Sequence, residues 1–543
     1  MNNFQTVLKY YHTIKYLRIE QFFFQIYYKL KKKISLLLGR GPSYTSYRKG
    51  SQLSFIKFPP KLQSYLGQGI FTFLNLSQQF NGKWSDCVLG DLWRYNLNYM
   101  DFLLQPTMNV QEGCEWIENF IDSIKENSIA TDPYPISLRG INWIKFVSLH
   151  HRMLTSEQLK KIDTALYSQY LILNHSTERH LLANHYLENG FSLLFAAVYF
   201  RDETFWKKAQ LIVSAQLEEQ VLADGAHYEL SPMYHCVILE RILDSYNLLS
   251  VADDMLFEGL ETMRILLRDK AVIMLAWMEA MVVADDTIPL LNDSANGVAL
   301  TPKMLREYAR RLQIKWDKGI LGASGYRHIV QSSYEVIIDM APLGVSYNLG
   351  HAHADTSTFL LWTKSRALFV DTGTSTYNAG ERRNYERSTR AHNVVVVDGE
   401  NSSKVWGAFR CAQRAQVMIE KDGPDEYAFL HDGYRDKGIL CRRCFVCKGN
   451  AFEIIDSVEN STSETLSAYF HLSPDVRILD LNASCVVTDR AVLTFEGLLS
   501  LQLEQTEVST EFNNLQKSQC IRVLFSNTLH TIIDNFCVRK SDF

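Results

Sequence analysis

The chain has 543 residues, enough for roughly two to four domains that each bury a core. With 46% hydrophobic and 21% charged residues, its composition is ordinary for a globular protein, and its ten cysteines are too sparse for a disulfide scaffold. The formal net charge of −4 argues against nucleic acid as the main partner, because binding a phosphate backbone needs a basic surface.

The N-terminal segment, residues 1–70, is predicted to be basic, aromatic and helical. Its first fifty residues contain many Lys and Arg but a single acid, Glu20. Such a helix either packs against the next domain with a solvated outer face or lies on an anionic membrane surface or a partner. No run reaches about 18 apolar residues, so no spanning helix is predicted, and the pattern of a secretory signal peptide is absent.

Residues 71–320 are predicted to form a helical domain. From about residue 111, apolar residues recur every three or four positions, as in Leu181–Phe200 and Val237–Leu249. Short polar breaks separate these runs, which indicates successive helical hairpins. Hairpins of this kind can close into a toroid.

Residues 321–543 are predicted to form a large antiparallel sheet domain, because short strand-like runs alternate there with Gly, Asn, Asp and Ser. Helices followed by strands indicate an α+β protein with separate domains. Cys441, Cys444 and Cys447 lie in one of these runs. No second Cys/His pair follows at zinc-knuckle spacing, so we interpret them as strand residues.

Ionisable residues concentrate between Gly350 and Asp398. His351, His353 and Asp355 are spaced two apart, so on a strand all three would project from one face. Asp371 and His392 border two further apolar runs. Such residues at the edges of neighbouring strands can converge on one metal ion; the alternative is a set of scattered polar residues in an ordinary sheet. The density of ionisable groups favours a site.

Two segments of the helical domain also carry polar residues at helix starts. Asn184 and His185 open a long apolar run, where the asparagine could simply cap the helix. Further on, Pro232 suits a first helical turn, which places Tyr234 just inside the next helix. Taken alone, Tyr234 would be a core residue or a surface hydrogen-bonding group.

These segments resemble the heparinase II/III family of polysaccharide lyases. The resemblance rests on the blocks LLANHYLENGFSLLFAA, DGAHYELSPMYH and GHAHADTSTF…VDTGT…RSTRAHNVVVVDG, supported by LWRYNLNYMDFL and SLRGINWIKF. It implies an incomplete (α/α) toroid followed by an antiparallel β-sandwich, with the active site in the cleft between them. It also implies β-elimination on an acidic, uronate-containing polysaccharide, with a role in bacterial surface-polysaccharide metabolism as one setting.

The resemblance assigns three catalytic residues. Asn184, with His185 as a substrate-binding neighbour, would neutralise the uronate carboxylate so that the developing enolate is tolerated. Tyr234 would protonate the leaving oxygen, or act as both base and acid when proton and leaving group lie on one side. His351 would be the base for the opposite epimer.

Further roles follow from the same resemblance. His353, Asp371 and His392 would hold a zinc ion that is mainly structural. Arg139, Tyr385 and Arg387 would contact substrate, unless they are solvated loop residues. The family also implies a cell-envelope or periplasmic location, whereas the missing signal-peptide pattern leaves the cytoplasm open.

Two other functions stay open. A glycoside hydrolase on an α/α toroid would use paired carboxylates such as Asp224, Glu229 or Asp293. A non-catalytic glycan-binding or assembly protein would carry a relict site. The enzyme interpretation requires Asn184, Tyr234 and His351 to face one cleft.

Overall fold

The computed structural model describes residues 3–37, 44–86, 88–459 and 465–536. Within these ranges, helices fill the first part of the chain and strands the second. The α-helices are α1 Asn3–Ile14, α2 Ile19–Leu37, α3 Asp91–Tyr99, α4 Val110–Ser123, α5 Pro133–His150, α6 Ser156–Asn174, α7 Ala183–Phe200, α8 Glu203–Gln220, α9 Pro232–Ser250, α10 Leu260–Met281, α11 Pro302–Arg311 and α12 Glu381–Glu386.

The strands begin with one hairpin ahead of the toroid helices and then dominate from Tyr326 onward. They are β1 Ile70–Phe73, β2 Leu76–Gln79, β3 Tyr326–Val330, β4 Glu335–Asp339, β5 Phe359–Thr363, β6 Arg366–Phe369, β7 Val395–Val397, β8 Val405–Trp406, β9 Arg410–Cys411, β10 Val417–Asp422, β11 Glu426–Tyr434, β12 Ile439–Lys448, β13 Ala451–Glu459, β14 Leu466–His471, β15 Ile478–Leu481, β16 Cys485–Thr488, β17 Val492–Glu511 and β18 Asn514–Asp534. The predicted order of helices before strands is confirmed.

The N-terminal segment is helical only as far as Leu37. Residues 44–69 contain no helix; they run in extended form over the toroid, where the Ser51 backbone N–H donates to the Tyr199 carbonyl at 2.7 Å. The prediction of a helical segment over 1–70 is therefore wrong for its second half, and its residues 38–43 lie outside the described chain. None of the described helices combines the length and apolar character needed to cross a lipid bilayer.

Helices α3 to α11 pack as two layers. The inner helices α3, α5, α7, α9 and α11 contact one another in that order, and α4, α6, α8 and α10 pack outside them. Helix α7 is buried along nearly its whole length. Gly190 allows α8 to approach, because a Cβ there would stand 2.7 Å from Ile212 Cγ2. This two-layer array is the toroid-like domain that the helical periodicity predicts.

The strand domain is an antiparallel sandwich. A four-stranded sheet, β3-β4-β5-β6, packs against a ten-stranded sheet ordered β10-β11-β12-β13-β18-β17-β16-β15, with β14 and β7 branching from β18. Both sheets contribute to one apolar core, in which the rings of Phe359 and Phe452 lie 5.6 Å apart. Cys441 and Cys447 point into this core from β12, as the strand interpretation predicts, while Cys444 points to the opposite face and contacts Glu426.

A second apolar cluster joins the two domains. Trp277 and Met281 of α10 pack against Ile337, Leu360 and Trp362 on the outer face of the four-stranded sheet. The long β17–β18 hairpin adds a second contact between the domains, since Glu511 near its tip forms a bridge with Asn296 of the helical domain. These contacts set the inner-helix N-termini opposite the loop that follows β4.

Candidate active site

Asn184 lies in the first turn of α7, behind a strained entry. Leu182 and Ala183 have positive φ angles of 61° and 51°, which non-glycine residues adopt at a cost. Asn184 Nδ2 donates to the Glu229 carboxylate at 2.9 and 3.2 Å, and its backbone N–H donates to the same group. The side chain therefore binds a partner across the cleft and does not cap its own helix.

Tyr234 lies in the first turn of α9, as the Pro232 position predicts. Ser231 caps this helix by accepting from the Tyr234 backbone N–H at 3.2 Å. The Tyr234 ring stands over the His351 imidazole, with centroids 3.9 Å apart. Its hydroxyl lies 3.4 Å from the Tyr377 hydroxyl. Burial, then neighbouring Tyr377, Asp293 and Glu229, raise the pKa of Tyr234 well above its usual value, so the phenol keeps its proton at neutral pH.

His351 and His353 lie in a loop ahead of β5 rather than on a strand, so the predicted strand geometry is wrong. Both imidazoles nevertheless reach one carboxylate. His351 Nδ1 lies 2.9 Å from Asp293 Oδ2, and His353 Nε2 lies 2.9 Å from Asp293 Oδ1. No described hydrogen bond joins Asp355 to this carboxylate; the charged groups that act on Asp355 are His392 and Asp371. The shared partner, not strand periodicity, aligns the two histidines.

Asp293 is the centre of the site. It is fully buried and accepts two hydrogen bonds from Arg383, at 2.5 and 2.7 Å, in addition to those of the histidines. Burial alone would raise the pKa of Asp293, but the Arg383 charge and these hydrogen bonds hold it well below its usual range. Because an ionised carboxylate only accepts, His351 donates from Nδ1 to Asp293, which leaves Nε2 to face another partner.

The free nitrogen of His351 faces Glu229. Its Nε2 lies 4.0 Å from Glu229 Oε2, the oxygen that also accepts from Asn184. Burial opposes ionisation of Glu229, but His227, His351 and Asn184 outweigh it and lower the pKa of that carboxyl. The three residues Asn184, Tyr234 and His351 thus converge on one place, as the enzyme interpretation requires.

His185 stands at the open side of the same cleft. Its side chain is 38% exposed, its ring packs 4.4 Å from that of Tyr134, and its Nδ1 lies 3.2 Å from Glu178 Oε1. Burial lowers the pKa of His185, but the Glu178 carboxylate more than offsets this and raises it above the ordinary value. An imidazole whose pKa is raised in this way, at the cleft mouth, suits an acidic ligand.

Aromatic side chains line both walls of this cleft. Tyr134 packs on Tyr99 from the helical side, and Tyr377 packs on Phe409 from the strand side, with ring centroids 5.8 and 5.3 Å apart. Phe409 is 44% exposed and stands 6.1 Å from the His351 ring. Half-buried rings of this kind suit the apolar faces of sugar residues.

A buried group of possible metal ligands lies behind His351. One ligand atom from each of His353, Asp371 and His392 lies within 4.8 Å of the others. His392 Nδ1 contacts Asp371 Oδ2 at 2.6 Å, whereas His353 Nδ1 and His392 Nε2 have no hydrogen-bonding partner among the described residues. Burial lowers the pKa of His353 to about 4, so it is a neutral imidazole at pH 7. Two imidazoles and a carboxylate could hold a metal ion.

The other three residues predicted to contact substrate, besides His185, do not line this cleft. Arg139 is fully buried and donates to Gln169 and to the Asn98 and Ala130 carbonyls. Tyr385 bonds Thr506, and no described hydrogen bond or ring contact joins it to Asn184, Tyr234 or His351.

Arg387 is also buried, but it acts on the site. Its guanidinium donates to the carbonyls of Leu349 and Ala352, on either side of His351. This geometry does not support direct substrate contact by Arg139, Tyr385 or Arg387. Arg387 instead stabilises the loop that carries His351.

Sequence reasoning missed Arg383 and Tyr377 and considered Asp293 and Glu229 only as hydrolase carboxylates. Asp293 lies in the irregular segment between α10 and α11, where no periodic pattern marks it. The sequence did contain one indication of Arg383 and Tyr377, because both lie within residues 350–398, where ionisable residues concentrate.

Fold and site together define a two-domain protein in which an ionisable cluster lies between a helical toroid and an antiparallel sandwich. Two family descriptions match this chain: Heparinase II/III N-terminus over residues 105–315, and Heparinase II/III-like, C-terminal over residues 315–535. The protein belongs to the heparinase II/III family.

Named relatives agree with this assignment. The heparin-sulfate lyase of Bacteroides stercoris is 21% identical over 418 residues, which are 66% of this chain and 60% of that protein. The heparin-sulfate lyase of Pedobacter heparinus is 23% identical over 257 residues, which are 40% of this chain and 38% of that protein. The match thus spans less than two thirds of either relative.

Solved structures show the shared fold. A heparinase III gene product superposes with a TM-score of 0.61 at 17% identity, covering 85% of this chain and 82% of that one. Heparan sulfate lyase HepC from Pedobacter heparinus gives 0.54 at 17% identity, covering 87% and 82%.

Proposed function

We propose that the protein is a polysaccharide lyase that cleaves a uronic-acid-containing glycan by β-elimination. The observation that carries the proposal is the stacked pair of a protonated Tyr234 and a His351 whose Nε2 is free, both beside Asn184. β-Elimination needs a base for the proton next to the carboxylate, an acid for the departing oxygen, and a group that stabilises the enolate. This cleft offers one residue for each task.

His351 is the base in this proposal. Asp293 holds Nδ1, so Nε2 accepts the proton from C5 of the uronate, and the C–H electrons form the C4–C5 double bond. The C4–O bond breaks as Tyr234 donates its phenolic proton to the bridging oxygen. Where the C5 proton lies on the same face as the leaving group, Tyr234 would have to ionise before it could serve as both base and acid, and its raised pKa opposes this.

Asn184 neutralises the substrate carboxylate. In the free protein its amide is held by Glu229, which keeps the donor in place at the cleft floor. His185 stands beside it as a second hydrogen-bond donor, and Glu178 raises its pKa and so favours its protonated form. As negative charge builds on the uronate carboxylate, these two groups stabilise the transition state more than the ground state.

The bound metal in this proposal is Zn²⁺, held by His353, Asp371 and His392. Its chemistry would be that of a structural cation, compensating the buried carboxylate and tying the β5–β6 region to the loop before β7. His353 also contacts Asp293, the partner of the base. The metal site therefore supports the orientation of His351 through Asp293.

The carboxylate chemistry disfavours a glycoside hydrolase. That mechanism requires one carboxyl group that stays protonated near neutral pH. Asp293 and Glu229 both have lowered pKa values, for the reasons given above. Asp224 accepts from Ser324 and Gly322 in a tight structural contact away from the cleft. None of the three is suited to act as the acid.

Incubation with a panel of acidic polysaccharides tests the proposal, with heparan sulfate first because the named relatives are heparin-sulfate lyases. An unsaturated uronate absorbs in the ultraviolet, so elimination raises absorbance. New reducing ends without that rise would show hydrolysis instead.

Tyr234→Phe is the diagnostic variant. Loss of the acid should lower kcat by about 10²–10⁴-fold while leaving the fold intact. Tyr385→Phe is its matched control, since Tyr385 loses only a hydrogen bond to Thr506 and should keep its activity. Equal activity of the Tyr234→Phe and wild-type proteins would contradict the assignment.

A further inference from the structure

The outer face of α2 carries a continuous apolar stripe. Its members are exposed by between 44% (Tyr27) and 87% (Ile19), and it is their grouping on one face, not the exposure of any one residue, that sets them apart from isolated surface hydrophobics. They are Ile19, Phe23, Ile26, Tyr27, Leu30 and Ile34. Steps of three or four residues keep them on one side of the helix.

The inner face of α2 explains why this stripe points outward. Phe24 packs under the Arg179 guanidinium at 4.4 Å, and Tyr28 packs on His180. Arg18, just ahead of the helix, lies 3.8 Å over the Tyr347 ring and pairs with Glu219. These contacts hold the helix in one rotation, so exposure of the stripe is built into the fold.

Helix α1 continues the exposed surface. Val7, Tyr11 and Ile14 are each more than two-fifths exposed and lie one turn apart. The other side of α1 is fastened to the strand domain, where Trp406 Nε1 donates to Thr13 Oγ1 at 3.1 Å. The two helices therefore contact both domains, and each exposes apolar residues to solvent.

Positive charge borders this surface. Lys29 and Lys33, one turn apart, lie beside Leu30 and Ile34 and are exposed, as is Lys15 between the helices. Glu20 is the sole acid of residues 1–50. An apolar stripe with a cationic border is complementary to an anionic lipid surface. The aromatic rings and aliphatic side chains of such a stripe enter the lipid interface, while the lysine ammonium groups contact the lipid headgroups.

We propose that α1 and α2 form a peripheral docking surface for anionic lipid membranes. The stripe enters the headgroup boundary while Lys15, Lys29 and Lys33 remain with the phosphates. A second copy of the chain is a poorer occupant, because a twofold contact would set the same lysines against each other.

Docking would also orient the cleft. The inner contacts of α2 fall on residues 175–181 and on Tyr347, which directly precede Asn184 and His351. The active site would then open beside the membrane plane. The docking proposal rests on surface exposure and charge alone and stands apart from the lyase chemistry.

Sedimentation of the full chain with lipid vesicles tests the proposal. The protein should sediment with vesicles that mix phosphatidylcholine and phosphatidylglycerol, bind phosphatidylcholine alone far more weakly, and lose affinity as salt is raised. Substituting Phe23, Ile26 and Leu30 together by Gln should lower the partition coefficient by at least about tenfold. Substituting Lys29 and Lys33 by Gln should lower it by about tenfold on the anionic vesicles only.

The control replaces Leu211 and Met255 by Gln. Both are more exposed, at 70% and 90%, than the three stripe residues substituted above, but they lie on the outer surface of the helical domain, so binding should not change. Thermal unfolding of each variant checks that the fold is retained. Absence of wild-type binding to anionic vesicles, or equal binding by the stripe variant, overturns the proposal. So does self-association without lipid that the stripe substitutions abolish, which would assign the surface to a second copy.

Discussion

Asp293→Asn is the substitution that tests the site most directly. The change keeps the volume of the side chain but replaces one acceptor oxygen by an N–H donor and removes the charge. Arg383 loses its charged partner, and with the amide nitrogen in the place of Oδ2 the new side chain donates to His351 Nδ1. The imidazole must then carry its proton on Nε2, where the proposed mechanism needs a lone pair.

Two magnitudes follow from this geometry. An uncompensated buried guanidinium costs about 3–5 kcal/mol, so the free energy of unfolding should fall by that amount. In a serine protease, the wrong tautomer of the catalytic histidine lowers kcat by about 10⁴-fold, and we expect a loss of about 10³–10⁴-fold here. By the usual conversion, that loss equals about 4–5.5 kcal/mol in the activation barrier.

The pH dependence of the free energy of unfolding tests the ionisation of Asp293 independently of activity. Arg383 and the histidines outweigh burial and hold the pKa of Asp293 well below its usual range. The ionised group therefore stabilises the fold above about pH 4, the pKa of an unfolded aspartate, and this contribution is lost as pH falls through the folded pKa. Stability curves of wild type and Asp293→Asn should converge in acid.

Asp456→Asn is the matched control. Asp456 is equally buried and pairs with Arg443 through two hydrogen bonds, at 2.6 and 2.9 Å, within the sandwich. It should lose a similar free energy of unfolding in denaturant titrations but keep its kcat in the absorbance assay. If Asp293→Asn loses no more activity than Asp456→Asn, Asp293 is structural and the tautomer argument is refuted.

Three further substitutions test other parts of the site. Tyr377→Phe removes the hydroxyl 3.4 Å from that of Tyr234 and should lower kcat by about tenfold or less, without changing KM in steady-state kinetics. His392→Ala should abolish metal binding in elemental analysis and lower the Tm, whereas Cys444→Ser should retain the metal; metal retained by the alanine variant would contradict the ligand set. Arg139→Met should lower the free energy of unfolding by about 1–3 kcal/mol for each stranded acceptor, and a raised KM at unchanged stability would restore it as a substrate contact.

The architecture could be predicted because it depends on periodicity. Apolar spacing identified the helices from α4 to α10, and the switch to short punctuated runs marked the strand domain. Residues 44–69 were not predicted correctly, because a segment that lies on another domain without regular secondary structure has no period of its own. Its aromatic residue Phe55 packs on Phe195 of the toroid as well as on Phe58.

The site could be predicted only where local sequence and geometry coincide. Tyr234 was placed correctly because Pro232 marks the start of α9. The pairing of His351 and His353 came from a distant carboxylate, Asp293, which spacing along the chain cannot reveal. Arg139 is predicted as a substrate contact because it is a charged side chain in a block that resembles the family. The structure instead buries Arg139, where its guanidinium donates to Gln169.

Strained backbone conformations also mark the chain next to the site residues. Left-handed φ angles occur at Ala183, Leu230 and Asn292, which immediately precede or closely flank Asn184, the α9 cap and Asp293. None is glycine, so each conformation costs about 1–3 kcal/mol and must be maintained by tertiary contacts. Tyr326 and Asn292 supply such contacts by donating to the Leu230 carbonyl. Because Tyr326 belongs to the strand domain, the strained entry of α9, which carries Tyr234, is held in part by a contact between the two domains.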